Sequence, residues 1–200
     1  MGRVCLDPGH SGNPDPGAVG PGGCRESDIT LAVAKKLKEV LEAAGYSVVM
    51  TRTADDPETD SLSYRVDLAN ASGADIFLSI HCNSFVRPEA GGTETWYCCG
   101  SAAGRRLAGE IQQAMVASLG LADRGLHNTA ERTLYVLIYT VMPAALVELA
   151  FISNPDEEVL LADPVWQERA AQALGQGIER YFLASGTGPD SPQAELSGPA

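Results

Sequence analysis

The stretch DIFLSIH, residues 75–81, decides the fold class of this 200-residue chain. Its residues are mainly apolar and alternate little with polar ones, which is typical of a strand covered on both faces of a sheet. The stretch ends at His81, where CNS follows. We therefore predict a buried strand whose carboxyl end carries a histidine.

Strands and helices alternate on both sides of this stretch. Apolar residues recur at helical spacing over 27–44 and 102–119, whereas 4–6 and 47–51 are short apolar runs. This alternation predicts an α/β fold with a mostly parallel sheet. The predicted strands are 4–6, 47–51, 75–81, 93–98, 134–138 and 144–149. The predicted helices are 27–44, 62–71 with Ser61 as N-cap, 102–119, one opened by Asn154 and Pro155, and one from Pro164 to about 183.

Composition indicates a single globular domain. The chain is 44% hydrophobic, and its 14 Lys and Arg face 26 Asp and Glu, for a net charge of -12. It therefore lacks the basic field that nucleic-acid binding requires. No apolar run reaches the ~20 residues that a membrane-spanning helix needs. Because Gly, Pro and Ser dominate the end of the sequence, we predict one domain over 1–184 and a flexible tail or linker over 185–200.

The N-terminus and the cysteines bear on the cellular compartment. MGRVCLDPGH has one Arg and no apolar run, so it lacks the pattern of a signal peptide. We expect either a cytoplasmic protein or one whose export signal lies outside this sequence. The five cysteines are an odd number and include no CxxC pair, which favours free thiols in a reducing compartment.

Two of the three histidines lie at predicted strand ends. His10 follows the first strand and His81 ends the third, and Glu26 precedes a helix. Two imidazoles and one carboxylate form a ligand set of catalytic zinc sites, with a fourth position left for water. The alternative is ordinary: a strand-end histidine often serves a turn, and an acid at a helix start complements the helix dipole. The pattern favours a metal site without excluding that alternative.

Glu148 lies within PAALVELAFISN, an otherwise apolar strand. Burying an unpaired carboxylate is costly, so this side chain needs a partner or a function. One interpretation is an ion pair with a nearby arginine. The other is a catalytic base beside a metal-bound water.

The chain resembles the zinc-dependent N-acetylmuramoyl-L-alanine amidases, a family that includes sporulation enzymes, autolysins and phage endolysins. The resemblance covers about residues 3–183. It rests on LDPGHSG at 6–12, PGAVG at 16–20, the segments 25–52 and 61–84, GGTETWY at 91–97, DRGLH at 123–127, and MPAALVELAFISNPDEEVLL at 142–161.

The resemblance implies a twisted, mostly parallel sheet of about six strands with helices on both faces, which agrees with the predicted elements. It implies that His10, Glu26 and His81 bind one Zn²⁺ and that Glu148 is the catalytic base. The domain 1–184 would then hydrolyse the amide bond between the lactyl group of N-acetylmuramic acid and L-alanine in peptidoglycan. We expect it to act as a monomer at the bacterial cell wall, either after release from the cytoplasm at phage lysis or after export.

Other polar residues are weaker candidates. Arg124, His127 and Asn83 are candidate substrate-binding residues. Asp7, Asn83 and Ser84 are candidate hydrogen-bond acceptors for the ligand imidazoles, judged from sequence proximity alone.

Among the aromatic residues, we expect Trp96, Tyr97, Tyr135 and Tyr139 to be mostly core residues of strands. A role in lining a substrate groove is the less favoured interpretation of these four residues. Trp166 is expected to pack from the last helix.

Three alternative functions are kept open. One is a zinc or redox module in which cysteines such as Cys82 join the histidines, although Cys82 should point away from His81 on a strand. The second is a zinc hydrolase of the same fold that acts on another amide. The third is a wall-binding module that has lost catalysis.

Overall fold

In the computed structural model, which describes residues 2–186, six strands form one sheet. In chain order they are β1 (Arg3–Pro8), β2 (Ser47–Met50), β3 (Ile76–Asn83), β4 (Thr93–Tyr97), β5 (Asp123–Asn128) and β6 (Ala144–Phe151). Their order across the sheet is β2-β1-β3-β6-β4-β5. Every neighbouring pair is parallel except β4 and β6, which are antiparallel. The sheet is therefore mostly parallel, as predicted.

Residues 2–186 also form six α-helices, four between strands and two after the last strand. They are α1 (Glu26–Ala43), α2 (Leu62–Ala71), α3 (Ala102–Leu119), α4 (Tyr135–Tyr139), α5 (Pro155–Ala162) and α6 (Pro164–Ser185). The Ser61 hydroxyl accepts a hydrogen bond from Tyr64 N at the start of α2, which confirms the predicted cap. The Asn154 side chain accepts from Asp156 N and Glu157 N at the start of α5. These side chains satisfy backbone N–H groups that lack partners inside a helix.

The two faces of β3 contribute to different cores. Ile76, Leu78 and Ile80 belong to the larger core, which α1, α3 and α6 cover. Phe77 belongs to a smaller core on the other face, which includes residues of α2 and α4. Helices therefore cover both faces of the sheet, which confirms the predicted fold class. This double cover explains why the sequence of β3 is almost uniformly apolar.

The predicted strand at 134–138 is wrong. This segment forms the short helix α4, in which the adjacent residues Val136 and Leu137 are both buried. Periodicity does not distinguish a short buried helix from a short buried strand. The sixth strand is instead β5, a polar and half-exposed edge strand that within residues 2–186 pairs only with β4. It lacks the apolar pattern that a prediction would need.

The last helix ends where the predicted tail begins. Ser185 is the final residue of α6, and Gly186 caps it with φ 68°. The rest of the predicted tail lies outside the described residues. Within residues 2–186, no helix combines the length and the apolar character needed to cross a membrane.

The buried carboxylate of Asp7, near the carboxyl end of β1, binds side chains from three other parts of the chain. Asp7 accepts hydrogen bonds from the Thr51 hydroxyl, the Ser79 hydroxyl and Arg65 Nη1, each at 2.7 Å. Burial by itself raises the pKa of Asp7. The Arg65 charge and these hydrogen bonds outweigh burial and hold the pKa below its usual value. Asp7 is therefore ionised and paired in the folded protein.

Two buried arginines bind the backbone that follows Asp7. Arg65 donates to the carbonyl oxygens of Pro8 and His10 at 2.8 and 2.6 Å. Arg52 donates to the carbonyls of Pro8 and Gly9 at 3.0 and 2.8 Å. The turn that carries His10 is thus held by side chains from α2 and from the loop that follows β2.

Replacing Asp7 by Asn should destabilise the protein. We expect D7N to lower the free energy of unfolding by about 3 kcal/mol at neutral pH, because Arg65 loses its buried counter-ion. Since folding lowers the pKa of Asp7, its charge stabilises the fold fully above about pH 5, and this stabilisation is lost as the pH falls below about 4. Urea denaturation of both proteins from acid to neutral pH measures the difference.

The matched control is Asp67→Asn, because Asp67 lies on α2 like Arg65 but is exposed. We expect it to change the free energy of unfolding by less than about 0.5 kcal/mol. If the difference in the free energy of unfolding between wild type and D7N does not become smaller in acid, Asp7 does not stabilise the fold through its charge.

Candidate metal and catalytic site

His10 lies in a strained turn at the carboxyl end of β1. Its φ is 64°, in the left-handed region that residues other than glycine rarely adopt. The turn is fixed on both sides, since Gly9 N donates to Ile80 O at 2.9 Å and His10 O accepts from Arg65. Such strain persists where the surrounding structure determines the conformation, and it is concentrated at functional sites.

Glu26, the first residue of α1, lies between the two predicted ligand histidines. Its Oε2 is 3.0 Å from His10 Nε2, and its Oε1 is 2.9 Å from His81 Nδ1. Backbone N–H groups of Ala18 and Cys82 donate to the same two oxygens at 2.9 and 3.0 Å. The structure thus brings together the three residues that the sequence singled out as ligands.

The three side chains form a cluster that could hold a metal ion. One ligand atom from each of His10, Glu26 and His81 lies within 4.8 Å of the others. Within residues 2–186, this is the one group of three or more His, Cys, Asp or Glu side chains with that property.

Asp15 binds Nδ1 of His10, the ring nitrogen that Glu26 does not contact. Its Oδ2 is 2.7 Å from His10 Nδ1, and its Oδ1 accepts from Gly17 N at 3.0 Å. This contact leaves Nε2 of His10 facing Glu26 and fixes the ring orientation, as acceptors of metal-binding histidines do. The role of Asp15 was not predicted from the sequence, because this residue lies in a Gly- and Pro-rich loop whose path no periodic pattern indicates.

The three residues predicted for this orienting role do not perform it. The carboxylate of Asp7 binds Arg65, Thr51 and Ser79 instead. Asn83 Oδ1 accepts a hydrogen bond from Ser84 N at 2.8 Å. The imidazoles of His10 and His81 contact Asp15 and Glu26, neither of which is next to them in sequence.

The electrostatics of the cluster favour a positive charge. Burial lowers the pKa of His10, but Glu26 and Asp15 outweigh it and raise that pKa to about 9. Burial raises the pKa of Glu26, and the two histidines outweigh it and lower that pKa far below the usual value. Two carboxylates therefore surround two imidazoles in a partly buried site, and a bound cation would complement them.

Two glycines allow the imidazoles to approach the backbone. A β-carbon at Gly9 would overlap the ring of His81. A β-carbon at Gly17 would overlap the ring of His10, and Gly17 also has φ 70°. The glycines of DPGH and PGAVG are thus explained by close approach and by backbone conformation.

Glu148 lies on β6 directly beside His81, its Cα partner on β3. Its side chain is buried, and Oε2 has no hydrogen-bond partner among the described residues. Burial is the main cause that raises the pKa of Glu148 to about 7; Glu26 and Glu94 add to the rise, while His81 and Arg132 oppose it. Glu148 forms no ion pair with an arginine within residues 2–186. The interpretation that its carboxylate is the partner of a nearby arginine is therefore not supported.

A cavity of about 250 Å³ joins these groups to solvent. His10, His81 and Glu148 line it together with Leu62, Arg132 and Tyr135, among others. A substrate in this cavity would contact the metal cluster and Glu148 at once.

A second polar cluster adjoins Glu148. Glu94 on β4 is the Cα partner of Glu148, and its Oε2 lies 2.7 Å from Arg124 Nε. Trp96 Nε1 donates to the other oxygen of Glu94 at 3.1 Å. The His127 ring stacks on Trp96 with centroids 4.8 Å apart, and it is not part of the metal cluster. Glu94 was missed, although an acid within the buried run TETWY was a signal like that of Glu148.

The aromatic predictions are partly confirmed. Trp96 and Trp166 are buried, as expected, and Tyr97 is half-buried. The expectation is wrong for Tyr135 and Tyr139, which are exposed. They lie on α4 rather than on a strand, and their rings pack on each other with centroids 4.4 Å apart.

The cysteines take no part in the metal cluster. All five are free thiols, as predicted. Cys82 is buried in the larger core, on the opposite side of β3 from His81, and burial raises its pKa well above the usual value. The structure therefore gives no support to a mixed Cys/His module.

The comparisons with known proteins agree on one family. The family model described as N-acetylmuramoyl-L-alanine amidase matches residues 4–180. The amidase LytC of Bacillus subtilis (strain 168) is 39% identical over 181 residues, which are 90% of this chain and 35% of LytC. The germination-specific N-acetylmuramoyl-L-alanine amidase of the same organism is 35% identical, over 94% of this chain and 82% of its own length. This chain thus spans about a third of LytC and most of the germination enzyme.

Solved structures share the fold closely. The catalytic domain of CwlV, an N-acetylmuramoyl-L-alanine amidase from Bacillus (Paenibacillus) polymyxa var. colistinus, superposes with a TM-score of 0.85 at 34% identity, covering 92% of this chain and 99% of that domain. An N-acetylmuramoyl-L-alanine amidase from Clostridium difficile 630 gives 0.85 at 35%, covering 92% and 97%. Together with the family match over residues 4–180, these similarities show that the chain belongs to the N-acetylmuramoyl-L-alanine amidase family.

Proposed function

We propose that this chain is a zinc-dependent amidase that cleaves the bond between the lactyl group of N-acetylmuramic acid and L-alanine in peptidoglycan. The observation that carries the proposal is the position of Glu148. This buried carboxylate, one oxygen of which has no hydrogen-bond partner within residues 2–186, lies directly beside a cluster of two imidazoles and a carboxylate. A hydrolase needs this combination of a cation site and an adjacent base.

The donor set fits zinc. His10, His81 and Glu26 would hold the ion, and two neutral imidazoles with one carboxylate are ligands found in catalytic zinc sites. Asp15, bonded to His10, supplies the orienting contact that such ligands have. A bound zinc ion is redox-inert, lowers the pKa of a water molecule to about 7 and polarises a substrate carbonyl.

Glu148 would move the proton during hydrolysis. It takes a proton from the attacking water, whose oxygen forms a bond to the lactyl carbonyl carbon. As the C–N bond breaks, Glu148 gives that proton to the departing nitrogen of L-alanine. The second proton of the water passes from the new carboxylic acid to the amine at neutral pH, so the products are a muramic acid carboxylate and a peptide with a free N-terminal ammonium group. A pKa near 7 suits a group that must both accept and return a proton at neutral pH.

One chain supplies every group in this scheme, so we propose that the monomer is the active unit. The peptidoglycan substrate implies action at the bacterial cell wall, after phage lysis or after export. The rival proposals are hydrolysis of another amide and wall binding without catalysis. The second is disfavoured because an unpaired buried carboxylate costs free energy, which a binding module would have no reason to keep.

Purified peptidoglycan tests the proposed function. We expect the zinc-loaded protein to release new N-terminal L-alanine amines, which can be labelled, separated and identified by mass spectrometry. A chelator should abolish the release, and added zinc should restore it, because the ion supplies the polarising charge. If zinc binds but only other bonds are cut, the amide assignment is wrong. If zinc binds and no bond is cut, the wall-binding alternative gains support.

The variant Glu148→Gln tests the role of the base. We expect E148Q to keep its zinc, measured by calorimetry, and to lose activity by at least about 100-fold, because an amide cannot accept the proton. The matched control is Glu179→Gln on the exposed side of α6, which should leave both quantities unchanged. A variant E148Q with wild-type activity would remove Glu148 from the mechanism, and one that loses zinc would make it a ligand.

A further inference from the structure

Polar side chains continue across the sheet beyond the proposed base. His81 on β3, Glu148 on β6 and Glu94 on β4 are successive Cα partners in register. Partners opposite each other on neighbouring strands point to the same face of a sheet. Arg124 on β5 follows, since its Nε is bonded to Glu94. A substrate bound at Glu148 can therefore extend along this row.

A second cavity, of about 470 Å³, lies at the far end of the row. Glu148 lines the catalytic cavity and its strand partner Glu94 lines the second one, so the two cavities are neighbours. The second cavity is lined by Asn83, Phe85, Arg87, Glu89, Ala90, Glu94, Arg124 and Phe151.

Arg124 is held in place with part of its guanidinium free. Its Nε is bonded to Glu94 at 2.7 Å, and its Cζ lies 4.8 Å from the ring centroid of Phe151. Its two terminal nitrogens have no hydrogen-bond partner within residues 2–186, and the side chain is 41% exposed. A guanidinium that is already oriented loses little freedom on binding and matches the geometry of a carboxylate.

The hydrogen-bonding capacity that remains in this cavity is mostly that of donors. Both oxygens of Glu94 are occupied, by Arg124 and Trp96. Asn83 Oδ1 is occupied by Ser84 N, while its amide nitrogen has no partner in the described structure. The free groups of Asn83, Arg87 and Arg124 are donors, and the exposed carboxylate of Glu89 is the lining side chain that has free acceptors within residues 2–186. The donors outnumber it, and those of Asn83 and Arg124 call for an acceptor. In the catalytic cavity, Arg65 is committed to Asp7 and to backbone carbonyls, whereas Arg132 is exposed and has no hydrogen-bond partner within residues 2–186. Arg132 is not held by an ion pair as Arg124 is.

We propose that the second cavity binds a carboxylate of the peptide that follows L-alanine in the substrate, with Arg124 as its main contact. The inference rests on the proposed function and assigns a direction to the substrate. The leaving peptide extends past Glu94 to Arg124, and the muramic acid lies on the side of the catalytic cavity. Two strand spacings separate β6 from β5, about 10 Å. Two extended residues span about 7 Å, and the arginine side chain covers the remainder.

Two matched substrates test this proposal. One is N-acetylmuramoyl-L-alanyl-γ-D-glutamyl-L-alaninamide, which carries a single carboxylate on the residue after L-alanine. The other is the same compound with that carboxylate converted to an amide. We expect the zinc-loaded wild type to cleave the acid with a kcat/KM at least about 10-fold higher than the amide, through KM, because a charge-assisted hydrogen bond has that strength.

Removing Arg124 alone would leave Glu94 buried without its partner, so both are changed together. We expect Glu94→Gln to keep the preference for the acid, and the double variant Glu94→Gln with Arg124→Gln to lose it. Comparing two substrates on one protein cancels any effect of Glu94 on the neighbouring base. The control Arg105→Gln, at an exposed position on α3, should keep the preference because it changes only the net charge.

Each remaining outcome identifies what failed. Equal cleavage of both substrates by the wild type, or an acid preference that persists in the double variant, would overturn the subsite and leave the proposed function standing. Cleavage of neither substrate by the zinc-loaded wild type would overturn the proposed function and the subsite with it.

Discussion

The buried ion pair between Asp7 and Arg65 supports the geometry of the site. Arg65 Nη1 donates to Asp7 and to the carbonyl oxygen of Pro8, and Arg65 Nη2 donates to the carbonyl oxygen of His10. His10 holds an unfavourable backbone conformation, with φ 64°, which these bonds help to fix. Asp7 is the buried counter-ion of Arg65, so the pair that stabilises the fold also positions the guanidinium that binds the turn carrying His10.

The parallel strands explain why the other groups meet there. The carboxyl ends of β1 and β3 lie side by side, so His10 and His81 come to one edge of the sheet. Glu26 reaches them from the start of α1, and Glu148 from the next strand in the same register. The fold thus brings together, from separate elements, three side chains that could hold a metal ion, with a buried carboxylate beside them.

Features that have a strong local sequence pattern could be predicted from the sequence. His10 and His81 stand at strand ends, Glu26 at a helix start and Glu148 within an apolar run, and the structure brings all four together. Local pattern placed His10 and His81 at strand ends and made Glu26 and Glu148 candidates, whereas the ligand and base roles came from the resemblance to the amidase family. The apolar run of β3 likewise predicted the double helical cover that the structure has.

Features that depend on tertiary contacts were not predictable. The contact of Asp15 with His10 requires the path of a Gly- and Pro-rich loop, and the pairing of Glu94 with Arg124 requires the register of an edge strand without an apolar pattern. The short helix α4 was mistaken for a strand because its buried pair of adjacent residues fits either structure.

The position of the metal ion tests the central claim most directly. Crystals of the zinc-loaded protein, measured on both sides of the zinc absorption edge, would locate the ion by anomalous scattering. We predict one peak per chain, bonded to His10, Glu26 and His81, with the Glu148 carboxylate nearby but not bonded. A peak on a cysteine sulfur, or none at the three ligands, would contradict the account.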